Sequence, residues 1–160
     1  MISIQHLYSI VEEDRKKLFG FFNKIDKKHF YDSIIENVWS PELIFRHLLM
    51  NIYWILVKLP DGSAEPSKVA IDLEDEVNDQ ASLDEIIAEF DIISPILNER
   101  LSSLTLEQEE EDIDMWKGKM QRIIYLVRLI NHEHRHIGQI QWLLKRSTGW
   151  TDDEIYGISE

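Results

Sequence analysis

Residues 117–145 read KGKMQRIIYLVRLINHEHRHIGQIQWLLK, a stretch that predicts one long helix ending before Gly149. At the usual rise of an α-helix it would be ~45 Å long, which is the length of a helix in a bundle. Residues four apart lie on one face of a helix, about one turn apart, so His132 and His136 can aim their imidazoles at one point. His134 points to roughly the opposite side. The stretch therefore predicts a bundle helix that carries a histidine pair.

Three further helices precede this stretch, and the sequence shows no convincing strand. The first covers roughly residues 4–27, where apolar side chains recur mostly at helical spacing. The second begins after Ser40, a good N-cap residue, with Pro41 at the first helical position, where its missing N–H loses nothing. It should run to about Lys58 and stop before the Pro-Asp-Gly of residues 60–62.

The third helix begins at a capping box, in which Ser82 and Glu85 can satisfy each other's backbone donors. It should continue to about Leu104, with Pro95 kinking or splitting it. The polar, acidic residues 59–80 before it are predicted to form a long surface loop. Loops of that length are uncommon and are often functional.

The remaining segments are short. Residues 107–114 are predicted to be an acidic connection, and Thr151 and Glu154 repeat the capping-box spacing, which predicts one more helical turn in the tail. The helices on either side of the long loop are too few to fold apart. We therefore expect a single all-α domain over residues 1–160.

Composition and charge restrict the classes of function. Acidic residues outnumber basic ones by 30 to 17, and the net charge of -13 repels phosphate backbones and anionic lipid heads. The chain has no cysteine, which excludes disulfides, thiolate metal sites and a cysteine nucleophile. Charge early in the chain does not fit a signal peptide, and the longest apolar run, Ile52 to Val57, is far short of the ~20 residues that span a bilayer. A cytoplasmic protein with no nucleic-acid or membrane partner is expected.

A metal site needs more than the histidine pair, so a third ligand should come from another helix. His47 is the best candidate, because it lies inside the apolar stripe of the second helix, beside Leu48. A lone pair or a lone histidine is more often surface or packing chemistry. Together, on the inner faces of two helices, His47, His132 and His136 predict one divalent metal ion. Imidazole suits zinc, nickel, copper and iron, and we expect zinc or nickel.

Three protein ligands would leave a coordination position open, as in catalytic sites. Zinc deprotonates a coordinated thiol and lowers the pKa of bound water to ~7. Any thiol must arrive from solution, since the chain supplies none. Glu133 is the acid nearest the ligands in sequence and a candidate general base, and Gln139 could orient a ligand or a water. Metal binding should weaken below pH ~6.5, where protons compete for imidazole.

His132-Glu133-x-x-His136 also matches the zincin metalloprotease signature, in which the glutamate activates the metal-bound water. Only 24 residues follow the motif, and no strand is visible to bind a peptide substrate. The motif nevertheless leaves open a metal-dependent hydrolase.

Three features resemble the DinB-like family, which includes the bacillithiol S-transferase-like proteins. The segment WSPELIFRHL, residues 39–48, is similar to that family's second-helix opening with its first metal histidine. The segment HEHRHIGQI, residues 132–140, resembles its last-helix metal motif, although Arg135 stands where an aromatic residue or a second histidine is usual. The third feature is the layout of four helices with a long connection between the second and third.

The resemblance implies a four-helix bundle with a three-histidine metal site at one end of an open groove, and a homodimer. For some members it implies reactions on small-molecule substrates that use a low-molecular-weight thiol. The leading hypothesis is therefore a metal-dependent transferase that adds such a thiol to an electrophile. Two alternatives stay open, a metal-dependent hydrolase of small esters or amides and a non-catalytic metal- or ligand-binding stress protein. A fourth protein ligand closing the site would favour the last.

Overall fold

The structure is a computed structural model that describes residues 2–33, 35–36, 38–60, 62–72 and 79–156. Within that part of the chain its elements are, in order, α1 (Ile4–Phe22), α2 (Lys28–Tyr31), α3 (Pro41–Val57), α4 (Leu83–Ser102), α5 (Leu106–Glu110), β1 (Asp112–Met115), β2 (Gly118–Gln121), α6 (Arg122–Thr148) and α7 (Asp152–Tyr156).

The four long helices form a bundle in which α1 and α3 each contact both α4 and α6. Helix α3 is the most apolar of the four, and its buried side chains fill the centre of the core: Ile44, Phe45, Leu48, Leu49, Ile52, Ile55 and Leu56. Rings from α1 and α2 pack against Phe45 of this helix, with the centroids of Phe19 and Phe45 4.7 Å apart, and Phe90 of α4 packs on Phe19. The predicted all-helical bundle is confirmed.

The predicted helix caps are also present. The Ser40 side chain accepts a hydrogen bond from the backbone N–H of Leu43, and Ser82 and Glu85 form the reciprocal capping box. Gly149 ends α6 with φ at 73°, a left-handed conformation that glycine adopts without a Cβ clash.

Two helix predictions need correction. The first helix ends at Phe22 and not near residue 27, and a separate short helix, α2, follows it. The third helix is not split at Pro95, since α4 runs continuously through it to Ser102, close to the predicted end. The buried side chains of Ile93 and Leu97 hold the helix in the core on both sides of the proline. Tertiary packing therefore offsets the missing backbone hydrogen bond.

The expectation of no strand was wrong for residues 112–121, which form an antiparallel hairpin. Ile113 pairs with Met120 and Met115 pairs with Gly118, leaving a two-residue turn. Gly118 has φ at 115°, which is unsuited to the start of a helix, so α6 begins at Arg122 and not at Lys117. The acidic connection over residues 107–114 likewise becomes α5 followed by β1.

The described parts of the long 59–80 connection are docked on α3 by a buried arginine. The Arg46 guanidinium donates to the carbonyls of Val69 and Asp79, at 2.8 and 3.0 Å, and pairs with Glu42 at 3.1 Å. The backbone N–H of Ile71 donates to the carbonyl of Arg46. This part of the connection is therefore fixed beside His47; the predicted loop over 73–78 lies outside the described residues.

Candidate metal centre

Helices α3 and α6 bring the three predicted histidines together. The Nε2 atom of His132 lies 3.1 Å from Nε2 of His136 and 3.5 Å from Nε2 of His47. Three nitrogens bound to one zinc ion at ~2.0–2.1 Å in tetrahedral geometry would lie about 3.4 Å from one another. The spacing therefore suits one ion, and the three residues form a group that could hold a metal.

The relative position of the two helices is fixed next to the histidines by a buried amide. Asn51 lies one turn after His47 and is fully buried, and its Nδ2 donates to the carbonyl of Leu129 at 3.2 Å. Leu129 lies about one turn before His132. Since a buried amide loses stability without its hydrogen bonds, this contact favours one register of α3 against α6. That register places the three rings face to edge.

Gln139 contacts a predicted ligand directly. Its Oε1 lies 3.0 Å from Nδ1 of His136. Because the amide oxygen can only accept, the proton of the neutral ring resides on Nδ1, and the Nε2 lone pair points into the cluster. Gln139 therefore holds His136 in the tautomer that a metal ion requires.

Tryptophan side chains flank the buried ligand. The His47 ring is fully buried, with the Trp39 and Trp54 ring centroids at 5.5 and 5.6 Å in edge-to-face contact. His132 and His136 are half-buried. The centre is thus closed on the α3 side and more accessible on the α6 side.

Burial is the main reason why the pKa values of the three histidines in this cluster are lowered. It lowers the pKa of His47 to about 4, with the nearby His136 acting in the same direction and Asp72 and the Ile71 backbone opposing. It also lowers the pKa of His132 to about 4, with further contributions from His136, His47 and Arg135. Burial lowers the pKa of His136 as well, against the opposing Gln139 hydrogen bond. All three rings are therefore neutral at pH 7, which is the state that binds metal.

Glu133 lies in the core and pairs with Arg15 of α1. Both side chains are buried, and Arg15 also donates to Ser94 of α4 at 2.9 Å. The Arg15 guanidinium stacks on Phe90, 4.1 Å from the ring centroid. A carboxylate held in this ion pair ties three helices together, and the placement gives no support to its predicted role as general base.

Within the described part of the chain, the metal-binding group comprises the three histidines and no fourth His, Asp or Glu donor. His134 is exposed on α6, as predicted from its position in the helix. The Asp72 carboxylate raises the pKa of His47, so it is an electrostatic neighbour of the cluster.

A groove adjoins the cluster, and one of its walls is the hairpin, which was not predicted. Trp54, which contacts His47, also lines a cavity of about 570 Å³ whose opposite wall is the β-hairpin. Its lining residues are Trp54, Lys58, Asp114, Met115, Trp116, Tyr125 and Leu129, and we call it the hairpin groove. Alternating Ile113 and Met115 before Gly118 could have indicated the hairpin. By contrast, Arg15 lies in a run of charged residues that resembles an exposed surface, so the sequence does not indicate its burial.

No helix in the described ranges is both long and apolar enough to cross a membrane.

Comparisons with known proteins agree with the predicted fold and family. The family model described as DinB family matches residues 1–159. The structure is similar to the crystal structure of a DinB-like protein, YjoA, from Bacillus subtilis, with a TM-score of 0.62 and 22% identity over 91% of this chain and 94% of that one. At this identity the likeness shows the shared fold. Among curated proteins, none matches this sequence.

Proposed function

This chain belongs to the DinB family, and we propose that it is a divalent-metal-dependent transferase that joins a low-molecular-weight thiol to a small electrophile. The observation that carries the proposal is the convergence of the three histidine Nε2 atoms without a fourth donor from the described residues. A ligand set of this kind leaves room for an exogenous ligand.

The donor chemistry fits zinc or nickel, since all three ligands are neutral imidazoles. When bound at such a site, either ion would lower the pKa of a coordinated thiol so that the thiolate forms at neutral pH. In the overall reaction the thiol sulfur bonds to the electrophilic carbon, the thiol proton passes to solvent, and the leaving group departs with the electron pair. The chain has no cysteine, so the thiol is a second substrate.

The surrounding side chains prepare the ligands for this role. Gln139 fixes the His136 tautomer, and Asn51 fixes α3 against α6. Trp39 and Trp54 exclude water from the His47 side of the cluster. Ligands that are already oriented lose little entropy on binding the ion, which favours a preorganised centre.

Thiol transfer is favoured over hydrolysis by the position of Glu133. A zincin-type hydrolase needs this glutamate to activate water, whereas the carboxylate here is buried and paired with Arg15. The remaining alternative is a non-catalytic binding protein. It would be favoured by a fourth protein ligand that fills the open coordination position.

The expected partners follow from the family and the charge. We propose a homodimer in the cytoplasm that acts on small molecules, with no nucleic-acid partner because of the net charge of -13. Sedimentation analysis would show whether the chain dimerises.

The test is a matrix of small thiols against small electrophiles, assayed with protein loaded with Zn²⁺ or Ni²⁺. We expect a rate above metal-free protein that His132→Ala abolishes. His134→Ala is the matched control, because it removes an exposed imidazole from the same helix and should keep full activity. A metal-loaded protein with no rate above metal-free protein across thiols and esters would support the binding-protein alternative.

A further inference from the structure

The hairpin groove has a volume of about 570 Å³ and meets the metal centre at Trp54, and its walls are mainly apolar. The Tyr125 hydroxyl donates to the Trp54 carbonyl at 3.1 Å, which holds the Tyr125 ring in the wall. Trp116, at the hairpin turn, leaves 84% of its surface exposed although it lines the groove. A large exposed ring at a cavity wall offers a flat surface for an apolar ligand.

The charge around the groove is opposite to that of the whole chain. Lys58 lines the groove, and Lys117, Lys119 and Arg128 line a smaller cavity that shares four of its residues, whereas Asp114 is the one acidic residue in either lining. The chain as a whole has 30 acidic and 17 basic residues. A local excess of cations in an acidic protein indicates a site for an anion.

Arg128 links this charge to the metal centre. It lies four residues before His132 on α6, so the two side chains emerge from one helix face with their Cβ atoms ~5–6 Å apart. Arg128 is exposed and forms no ion pair or hydrogen bond with the described residues. Its guanidinium is therefore free to bind a carboxylate through two parallel hydrogen bonds.

We propose that the hairpin groove binds one of the two reactants as an organic carboxylate with an aromatic or aliphatic body. Arg128 binds the carboxylate, the body packs against Trp116 and Trp54, and the reactive atom reaches the histidine cluster about one helical turn away. The identity of this ligand as a reactant rests on the proposed function; its binding in the groove does not.

The test compares naphthalene-2-carboxylate with its neutral amide, 2-naphthamide, by calorimetric titration of the full chain. Chelator-treated protein is titrated first, so that the carboxylate cannot bind a metal ion, and Zn²⁺-loaded protein second. We expect the carboxylate to bind metal-free protein about fivefold more tightly than the amide does. This difference in affinity is the one that a partly solvated ion pair contributes. Arg128→Gln should remove this difference, and Trp116→Ala should weaken both compounds about tenfold.

Two control variants lie on α6, the helix that carries Arg128. Arg146→Gln removes one exposed cation and Trp142→Ala removes one half-exposed indole, both away from the groove, and neither should change either affinity. Equal binding of carboxylate and amide to the wild type, or equal effects of Arg128→Gln and Arg146→Gln, would overturn the proposal. Because binding is measured without metal, an inactive protein that still shows the Arg128 effect would refute only the catalytic proposal.

Discussion

The Nε2 atoms of His132 and His136 lie 3.1 Å apart, although a full helical turn separates the two residues. Two nitrogen lone pairs at this distance repel each other unless a proton or a metal ion lies between them. Because Gln139 keeps the proton of His136 on Nδ1, the lone pair on Nε2 of His136 points at His132. His47 approaches the pair from α3. This relationship is the basis of the metal predictions.

Removing a ligand should remove the metal. We expect about one zinc or nickel ion per chain in the wild type and a loss of most of it in His47→Ala and in His132→Ala, because two imidazoles rarely hold an ion at protein concentrations used for analysis. His134→Ala should keep the wild-type content. Elemental analysis after gel filtration measures this, and full metal content in either ligand variant would remove that histidine from the set.

The stability of the metal-free chain should depend on pH through the same rings. Folding lowers the pKa of His47 and His132 from 6.5 to about 4, so the unfolded chain binds more protons between these values. Their contribution to the unfolding free energy is therefore complete above pH ~6.5 and is lost as the pH falls toward 4. Urea denaturation at several pH values measures the free energy of unfolding. As the pH falls from ~6.5 toward 4, this free energy should decrease less in His132→Gln than in the wild type. Equal slopes would contradict the lowered pKa values.

The same shifts change the expected pH range of metal loss. The sequence alone predicts weakening below pH ~6.5, the value for a free imidazole. In the structure, protons compete effectively with the metal for His47 and His132 only nearer pH 4. Burial also lowers the pKa of His136, so metal content measured along a pH series should persist below pH ~6.5. Metal loss that follows the titration of a free imidazole would contradict the lowered pKa values.

The ion pair of Arg15 with Glu133 should matter more for stability than for chemistry. Glu133→Ala leaves a buried guanidinium without its partner and is expected to cost ~3–5 kcal/mol of unfolding free energy. Replacing both residues with apolar ones, as in Arg15→Met with Glu133→Leu, should recover much of that loss. Denaturant titration of the single and double variants measures the two effects.

Activity separates the two roles of Glu133. If it is the general base, Glu133→Gln should reduce the rate by ~10²–10⁴ with the metal still bound. The buried ion pair leads us to expect a much smaller change in the rate per folded molecule.

The sequence predicted the elements that depend on local chemistry. Ser40, Ser82 and Gly149 mark helix ends by their own hydrogen bonds or φ, and the spacing of His132 and His136 fixes one half of the metal centre. Features that depend on distant residues were not predictable in this way. The burial of Arg15 requires Glu133, 118 positions later, and nothing in the local sequence distinguishes it from its exposed neighbours.

The hairpin wall of the groove was missed for a related reason. A four-residue strand has little periodicity of its own, and residues 112–121 form a sheet only because the two strands pair with each other. The cavity then arises between that hairpin and the bundle helices. The cavity lies beside His47 because Trp54 both contacts the His47 ring and lines the cavity. Neither contact can be read from the sequence.

Gln139 provides a test of how the ligands are held. Its Oε1 accepts a hydrogen bond from the Nδ1–H of His136, so Gln139→Leu should free the ring to rotate and to change tautomer while leaving all three ligands in place. We expect a 10–100-fold loss of zinc affinity, the usual effect of removing a hydrogen bond to a ligating histidine. Gln141→Leu, on the same helix but outside the cluster, is the matched control and should bind as the wild type does. Competition with a chromophoric chelator measures both constants. If Gln139→Leu binds zinc as tightly as Gln141→Leu, packing alone orients His136.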